Sequence, residues 1–219
     1  MDVYRTEEEQ VEAIKKWWKD NGNNILIGVG LAIAIVMGWQ WWQDRQRVTG
    51  EAASIMYMEM LEATKIVSAV GANKDESIST VLHLAEKLKQ EHDGSTYAQL
   101  AALMSAKYYV ESDKAEEADK ELRWLLAKNP TEPVKLIATL RLAKVLVMQE
   151  KYDDALSLLA SVKPGPQLDA FEELKGDIFL LQGNEEKARE AYLSATKVAE
   201  EKEAQRPILK MKLDNLAAH

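Results

Sequence analysis

The stretch Leu174–Ala195, LKGDIFLLQGNEEKAREAYLSA, decides the fold. It reads as two helices joined by a tight turn at Gly183–Asn184. Gly176 is small where one helix would touch the other, and Phe179 fills the gap beside it. Ala188, Tyr192 and Ala195 give the second helix one apolar face. The arrangement recurs upstream. With Ala118, Ala155 and Ala188 aligned, a small residue stands twelve positions before each (Ala106, Ala143, Gly176). Nine before stands a larger apolar or aromatic residue (Tyr109, Leu146, Phe179). Leu122, Leu159 and Tyr192 follow four positions after the anchors, and Leu125, Val162 and Ala195 seven after. Leu126 and Pro130 close the first copy.

The anchors lie 37 and 33 residues apart, against about 34 for the tetratricopeptide repeat. This spacing predicts an all-α fold, a tetratricopeptide-repeat-like α-solenoid of antiparallel helix hairpins, with repeats near 99–132, 136–168 and 169–202. Helices at 49–70 and 77–92 match the pattern poorly, as a terminal unit should. A last helix at 207–216, with Leu209, Leu213 and Leu216 on one side, would cap the stack. No alternating run of β-branched and aromatic residues signals a strand. Breaks are expected at Gly71–Asn73, Asp93–Ser95, Asn129–Pro130, Pro164–Pro166, Gly183–Asn184 and Pro207, with Ser77, Ser95 and Asn184 as N-caps.

The amino-terminal end differs in kind. Five of the six tryptophans fall within the first 42 residues. Ile25–Trp42, ILIGVGLAIAIVMGWQWW, has only Gln40 as a strongly polar residue. A helix of that length spans roughly 27 Å, close to the hydrocarbon thickness of a bilayer. Trp17 and Trp18 precede it and Trp39, Trp41 and Trp42 close it, where indoles settle at headgroup level. A cleaved signal peptide is the rival, but the arm before the run is acidic and the run exceeds the usual apolar core of such a signal. The expected organisation is a cytoplasmic arm at 1–24, a transmembrane helix at 25–42 and an outer helical domain at 43–219. Arg5, Lys15, Lys16 and Lys19 before the span, against Arg45 and Arg47 after it, orient the N-terminus inward. Val11, Ile14, Trp17 and Trp18 make the arm amphipathic, as a helix resting on the membrane interface would be. Gly30, Ala34 and Gly38 share one face of the span, a spacing that admits a neighbouring membrane helix.

Beyond residue 42 the chain carries 24 basic and 30 acidic side chains, from totals of 28 and 36. So mixed a surface offers no basic patch for nucleic acid. With no cysteine, disulfides and thiolate metal sites are excluded. His83, His92 and His219 are scattered, and the pairs Glu116–Glu117, Asp153–Asp154 and Glu185–Glu186 stand at helix starts, where the dipole accounts for them. No enzyme, metal or cofactor is expected. A groove along the first helix of each hairpin is expected instead, lined by Leu103, Lys107, Val110, Leu140, Lys144, Val147, Asp177 and Leu180. Such a lining suits an extended peptide or a partner's helix.

The arm Glu9-Gln10-Val11-Glu12-Ala13-Ile14-Lys15-Lys16-Trp17-Trp18-Lys19-Asp20-Asn21-Gly22, the span, the Leu140–Val145 segment and the ending Lys210–Leu216 resemble the YfgM family of ancillary SecYEG translocon subunits of Gram-negative bacteria. The resemblance implies an inner-membrane protein with its repeat domain in the periplasm. It implies association with the SecYEG translocon and with a PpiD-like periplasmic chaperone, and help in handing newly exported, unfolded proteins onward. Lipid contact would be confined to the one helix. An envelope scaffold or a signalling adaptor unconnected with secretion would share the same topology.

Overall fold

The computed structural model of the chain describes residues 7–68 and 74–217; Arg5, the break at Gly71–Asn73 and His219 lie outside the described residues. Every described element is helical: α1 (Glu7–Ser68), α2 (Lys74–Glu91), α3 (Thr96–Glu111), α4 (Ala115–Ala127), α5 (Glu132–Met148), α6 (Tyr152–Ala160), a 3-10 turn (Gly165–Gln167), α7 (Leu168–Leu181), α8 (Glu185–Glu201) and α9 (Pro207–Ala217). The chain divides into two compact units, residues 1–52 and 53–219.

In the first unit, α1 takes in arm and apolar run alike. No proline precedes Pro130, and a glycine such as Gly22 costs an exposed helix only about 1 kcal/mol, so nothing stops it. Within Gln10–Val67 an 18-residue window has a mean hydropathy of 1.8 and none of it is buried, so the helix is long and apolar enough to cross a membrane. At the end of the run the Trp39 and Trp42 rings lie 5.4 Å apart. The Arg45 guanidinium sits 5.4 Å from the Trp41 ring, an arrangement suited to an interface between apolar and polar surroundings. Gly30, Ala34 and Gly38 are all exposed, and a methyl group added at Gly30 or Gly38 would meet nothing within 4 Å.

The second unit stacks residues 53–68 of α1 with α2 to α9. Met60 and Ala63 join Val81, Ala85 and Leu88 of α2 and Ala98 and Ala101 of α3 in one apolar cluster. A larger cluster runs through Leu122 and Leu125, Leu142 and Leu146, Leu159, and Phe171 and Ile178. A third joins Ala188, Tyr192 and Ala195 of α8 to Leu209, Leu213 and Leu216 of α9. The aligned Ala118, Ala155 and Ala188 have no exposed surface at all. Ala106, Ala143 and Gly176 opposite them are buried too. Close helix approach is therefore what the small residues at these positions secure.

The turns inside the hairpins share one backbone device. Asp113, Glu150 and Gly183 each adopt a left-handed conformation, with φ of 57°, 59° and 76°. All three stand five residues before an anchor alanine. The next N–H then reaches back to the last turn of the preceding helix: Lys114 to Tyr109 O at 2.8 Å, Lys151 to Leu146 O at 2.9 Å and Asn184 to Phe179 O at 2.8 Å. This is the Schellman closure, which satisfies carbonyls the helix end would leave unpaired. Only Gly183 is a residue that marks such a turn in a sequence. A left-handed L-residue costs roughly 1–2 kcal/mol, partly offset by the extra entropy a glycine loses on folding. Glu150→Gly should therefore stabilise the chain by about 0.5–1 kcal/mol, read as a raised melting temperature. An unchanged or lower value would mean that the Glu150 side chain supports the turn.

Two of the three expected caps form. Ser95 Oγ accepts from Ala98 N–H at 3.1 Å, and Asn184 Oδ1 accepts from Lys187 N–H at 3.1 Å. Ser77 instead lies inside α2, because Asp75 and Glu76 suit the positive end of a helix that starts earlier. The acidic pairs at 116–117, 153–154 and 185–186 do occupy the first turns of α4, α6 and α8.

Candidate functional site

The first helices of successive hairpins, α3, α5 and α7, carry matched positions. Lys107, Lys144 and Asp177 share one register, Leu103, Leu140 and Glu173 another, and Val110, Val147 and Leu180 a third. Between α3, α4 and α5 this face opens into a cavity of about 250 Å3, lined by Ala106, Lys107, Val110, Glu111, Leu122, Arg141, Lys144, Val145 and Met148. Its floor is apolar and its rim cationic. Lys107 reaches Glu111 at 3.7 Å. Arg141 donates from Nη1 to the Leu103 carbonyl at 3.1 Å, which ties α5 to α3.

At α7 the same face changes sign and is closed. Asp169, Glu173 and Asp177 recur every four residues and so form one stripe. Each is taken by a cation from the carboxyl-terminal segment. Lys202 and Arg206 each approach Asp169 to 2.5 Å. Arg206 also pairs with Glu173. Lys212 Nζ lies 2.9 Å from Glu173 and 2.6 Å from Asp177. The Tyr192 hydroxyl donates to Asp177 at 2.7 Å. Leu209, Leu213 and Leu216 pack α9 against α8, so the carboxyl-terminal segment is held by complementary charge toward α7 and by apolar contact on α8.

Burial alone would raise the Asp169 pKa, but the Lys202 hydrogen bond and the charges of Lys202 and Arg206 outweigh it and hold the carboxyl below its usual value. Burial lowers the Lys212 pKa, and its bonds to Asp177 and Glu173 more than reverse this. Burial, then the bond to Asp177, push the Tyr192 hydroxyl well up. A depressed carboxyl stabilises the fold above its unfolded value and loses that contribution as pH falls through the folded one. The raised Lys212 and Tyr192 stabilise below their unfolded values and lose this as pH rises through the folded ones. Attachment of α9 should therefore hold at neutral pH and loosen below about pH 4 and above about pH 10. Hydrogen exchange of residues 207–217 across pH, corrected for intrinsic rates, measures it; protection that falls steadily across the neutral range would contradict the assignment.

Of the eight residues expected to line a groove, Lys107, Val110 and Lys144 meet at the cavity. Leu103 is buried in the core, and Leu140 and Val147 pack half-buried against it. Asp177 belongs to the α9 contact, and Leu180 is 42% exposed beside it in the chain. Arg141, Glu111 and Met148 escaped the sequence reading, although each stands one position after a residue it names. The exposed stripe of a helix is wider than one column, so neighbours in pairs share it. The acidic stripe was legible as a spacing, but its partners come from 33 to 39 residues further on. Among the described residues no group of three or more His, Asp or Glu is placed to hold a metal ion.

A stack of paired helices with matched positions along one face defines a helical-repeat protein. Residues 15–218 match the tetratricopeptide repeat-like domain family. Over 217 residues the chain is 31% identical to the ancillary SecYEG translocon subunit of Escherichia coli (strain K12), covering 99% of this chain and 100% of that one. It is 30% identical over 216 residues to the protein of the same name from Haemophilus influenzae, covering 98% and 100%. With that from Aggregatibacter actinomycetemcomitans it shares 32% identity over 218 residues, covering 98% and 100%. The chain belongs to the family of ancillary SecYEG translocon subunits. Family and exposed apolar helix together fit a single-pass protein of the inner membrane.

Proposed function

We propose that this chain is a membrane-tethered adaptor of the protein-export translocon. Residues 1–24 form its cytoplasmic arm, 25–42 its span, and 43–219 a periplasmic domain that binds a PpiD-like chaperone and assists hand-over of newly exported proteins. The observation that carries the reading is similarity along nearly the whole chain, apolar helix and repeats together, to proteins named for the translocon. Tethering raises the local concentration of the repeat domain at the channel exit, so a groove of modest affinity suffices. The Gly30, Ala34 and Gly38 face supplies a packing surface for a neighbouring membrane helix.

Gentle detergent extraction of the tagged chain should bring down translocon subunits and the chaperone. Replacing residues 25–42 with an unrelated apolar span should lose the translocon. Because the chain has no cysteine, single substitutions report sidedness directly. Ser157→Cys should react with an impermeant maleimide in cells with a permeabilised outer membrane, and Lys15→Cys only after the inner membrane is opened. Absence of translocon subunits from the wild-type sample, or the reverse labelling pattern, would overturn the reading.

A further inference from the structure

We propose that the cavity between α3, α4 and α5 takes an acidic-apolar segment of a partner protein, with an apolar side chain in the cavity and a neighbouring carboxylate on Arg141 and Lys144; this rests on the adaptor reading above. About 250 Å3 falls below the roughly 300–1,000 Å3 of small-molecule sites, and suits anchoring side chains. The floor, with Val110, Val145 and Met148, would stay wet under a bare anion. Met148 is 48% exposed there.

The rim supplies the sign. In this chain of net charge −8, three cations at helix contacts have carboxylates from another element: Lys89 has Glu121 at 2.7 Å, Lys128 has Asp93 at 2.8 Å, and Lys212 has Asp177. Among the described residues Lys144 has no such partner, and Arg141 makes only its bond to a carbonyl. Glu111, the carboxylate that lines the cavity, lies 3.7 Å from Lys107, so Arg141 and Lys144 beside the apolar floor are left for a carboxylate from outside. The molecule shows the converse arrangement one hairpin on. There the stripe Asp169, Glu173 and Asp177 holds cations of residues 202–212, and the same segment buries Leu209 against α8. The open stretch has the same two components, with the charge reversed.

The probe is a short fluorescent peptide alternating Leu and Glu, titrated into the full chain in detergent micelles and followed by anisotropy. Leu/Ser and Ser/Glu peptides of equal length remove the charge or the apolar side. The Leu/Glu peptide alone should bind, more weakly as salt rises. Lys144→Glu and Met148→Ser should each weaken it about tenfold, the weight of one charge-assisted or apolar contact. Both side chains are exposed, so helicity and melting should match wild type; the remote Lys197→Glu should leave binding unchanged. Equal binding of the Leu/Ser peptide, or indifference to Lys144→Glu, would overturn the proposal. So would competition by anionic phospholipid, which assigns the rim to headgroups. Self-association of the unliganded chain that Lys144→Glu abolishes would assign the cavity to a second copy and overturn it equally. Peptide binding without translocon co-purification would sink only the adaptor reading, and the reverse pattern only this one.

Discussion

Gly176→Ala should destabilise the chain by about 1–3 kcal/mol or more, although it adds only a methyl group. A Cβ at this position would lie 2.4 Å from Tyr192 Cε1 and 2.5 Å from Cδ1. The ring cannot simply step aside. Tyr192 has no exposed surface, and its hydroxyl is fixed 2.7 Å from Asp177. Moving it means either opening the α7–α8 contact or giving up a part-buried hydrogen bond, and each is costly. In a domain of this size each kcal/mol corresponds to about 2–4 °C in melting temperature, so calorimetry should show a clear fall. Pairing the change with Tyr192→Leu, which removes the ring edge, should recover part of the loss. The double variant would then be less unstable than the two single effects predict when added. A Gly176→Ala chain that melts with wild type would refute this account of the hairpin contact.

Phe171→Ala should cost about 3–5 kcal/mol, as expected for an aromatic side chain removed from a packed core. Phe171 is 1% exposed and stands near the start of α7. It enters the cluster that also contains Leu142, Leu146 and Leu159 of the two preceding helices. In a linear stack each hairpin is stabilised by its neighbours. The loss should therefore fall on the junction and release α7, α8 and α9 together. Hydrogen exchange resolved by segment should show faster exchange across residues 168–217, with α2 and α3 little changed. Uniform loss of protection along the whole domain would instead mean that the stack unfolds as one piece.

The features legible in the sequence were those written as a period. Ala118, Ala155 and Ala188 and their companions recur because every hairpin has the same contact to make, so the alignment exposes the helices directly. The turn at Glu150 was not legible, since nothing in Gln149-Glu150-Lys151 marks a left-handed residue. Its position follows only from Gly183 once the register is known. Continuity of α1 was hidden by composition. The arm, the apolar run and the residues after it differ in hydropathy, yet with no proline between them the helix runs on even through Asp20-Asn21-Gly22-Asn23-Asn24. The groove was legible as columns of residues, but not its division. Sign and occupancy depend on Lys202, Arg206 and Lys212 coming back across α7, a tertiary fact that no local pattern contains. Lys202 stands in the run Glu200-Glu201-Lys202-Glu203, which by itself shows nothing of its place as one of two cations on Asp169.

The closing contact of α9 also sets a limit on assembly. A repeat stack left open at its end can be continued by the next molecule, head to tail, and such contacts grow into filaments when their rotation does not close. Here the apolar face of α8 that a following hairpin would meet is already covered by the chain's own Leu209, Leu213 and Leu216. The stack carries its own terminator at that end.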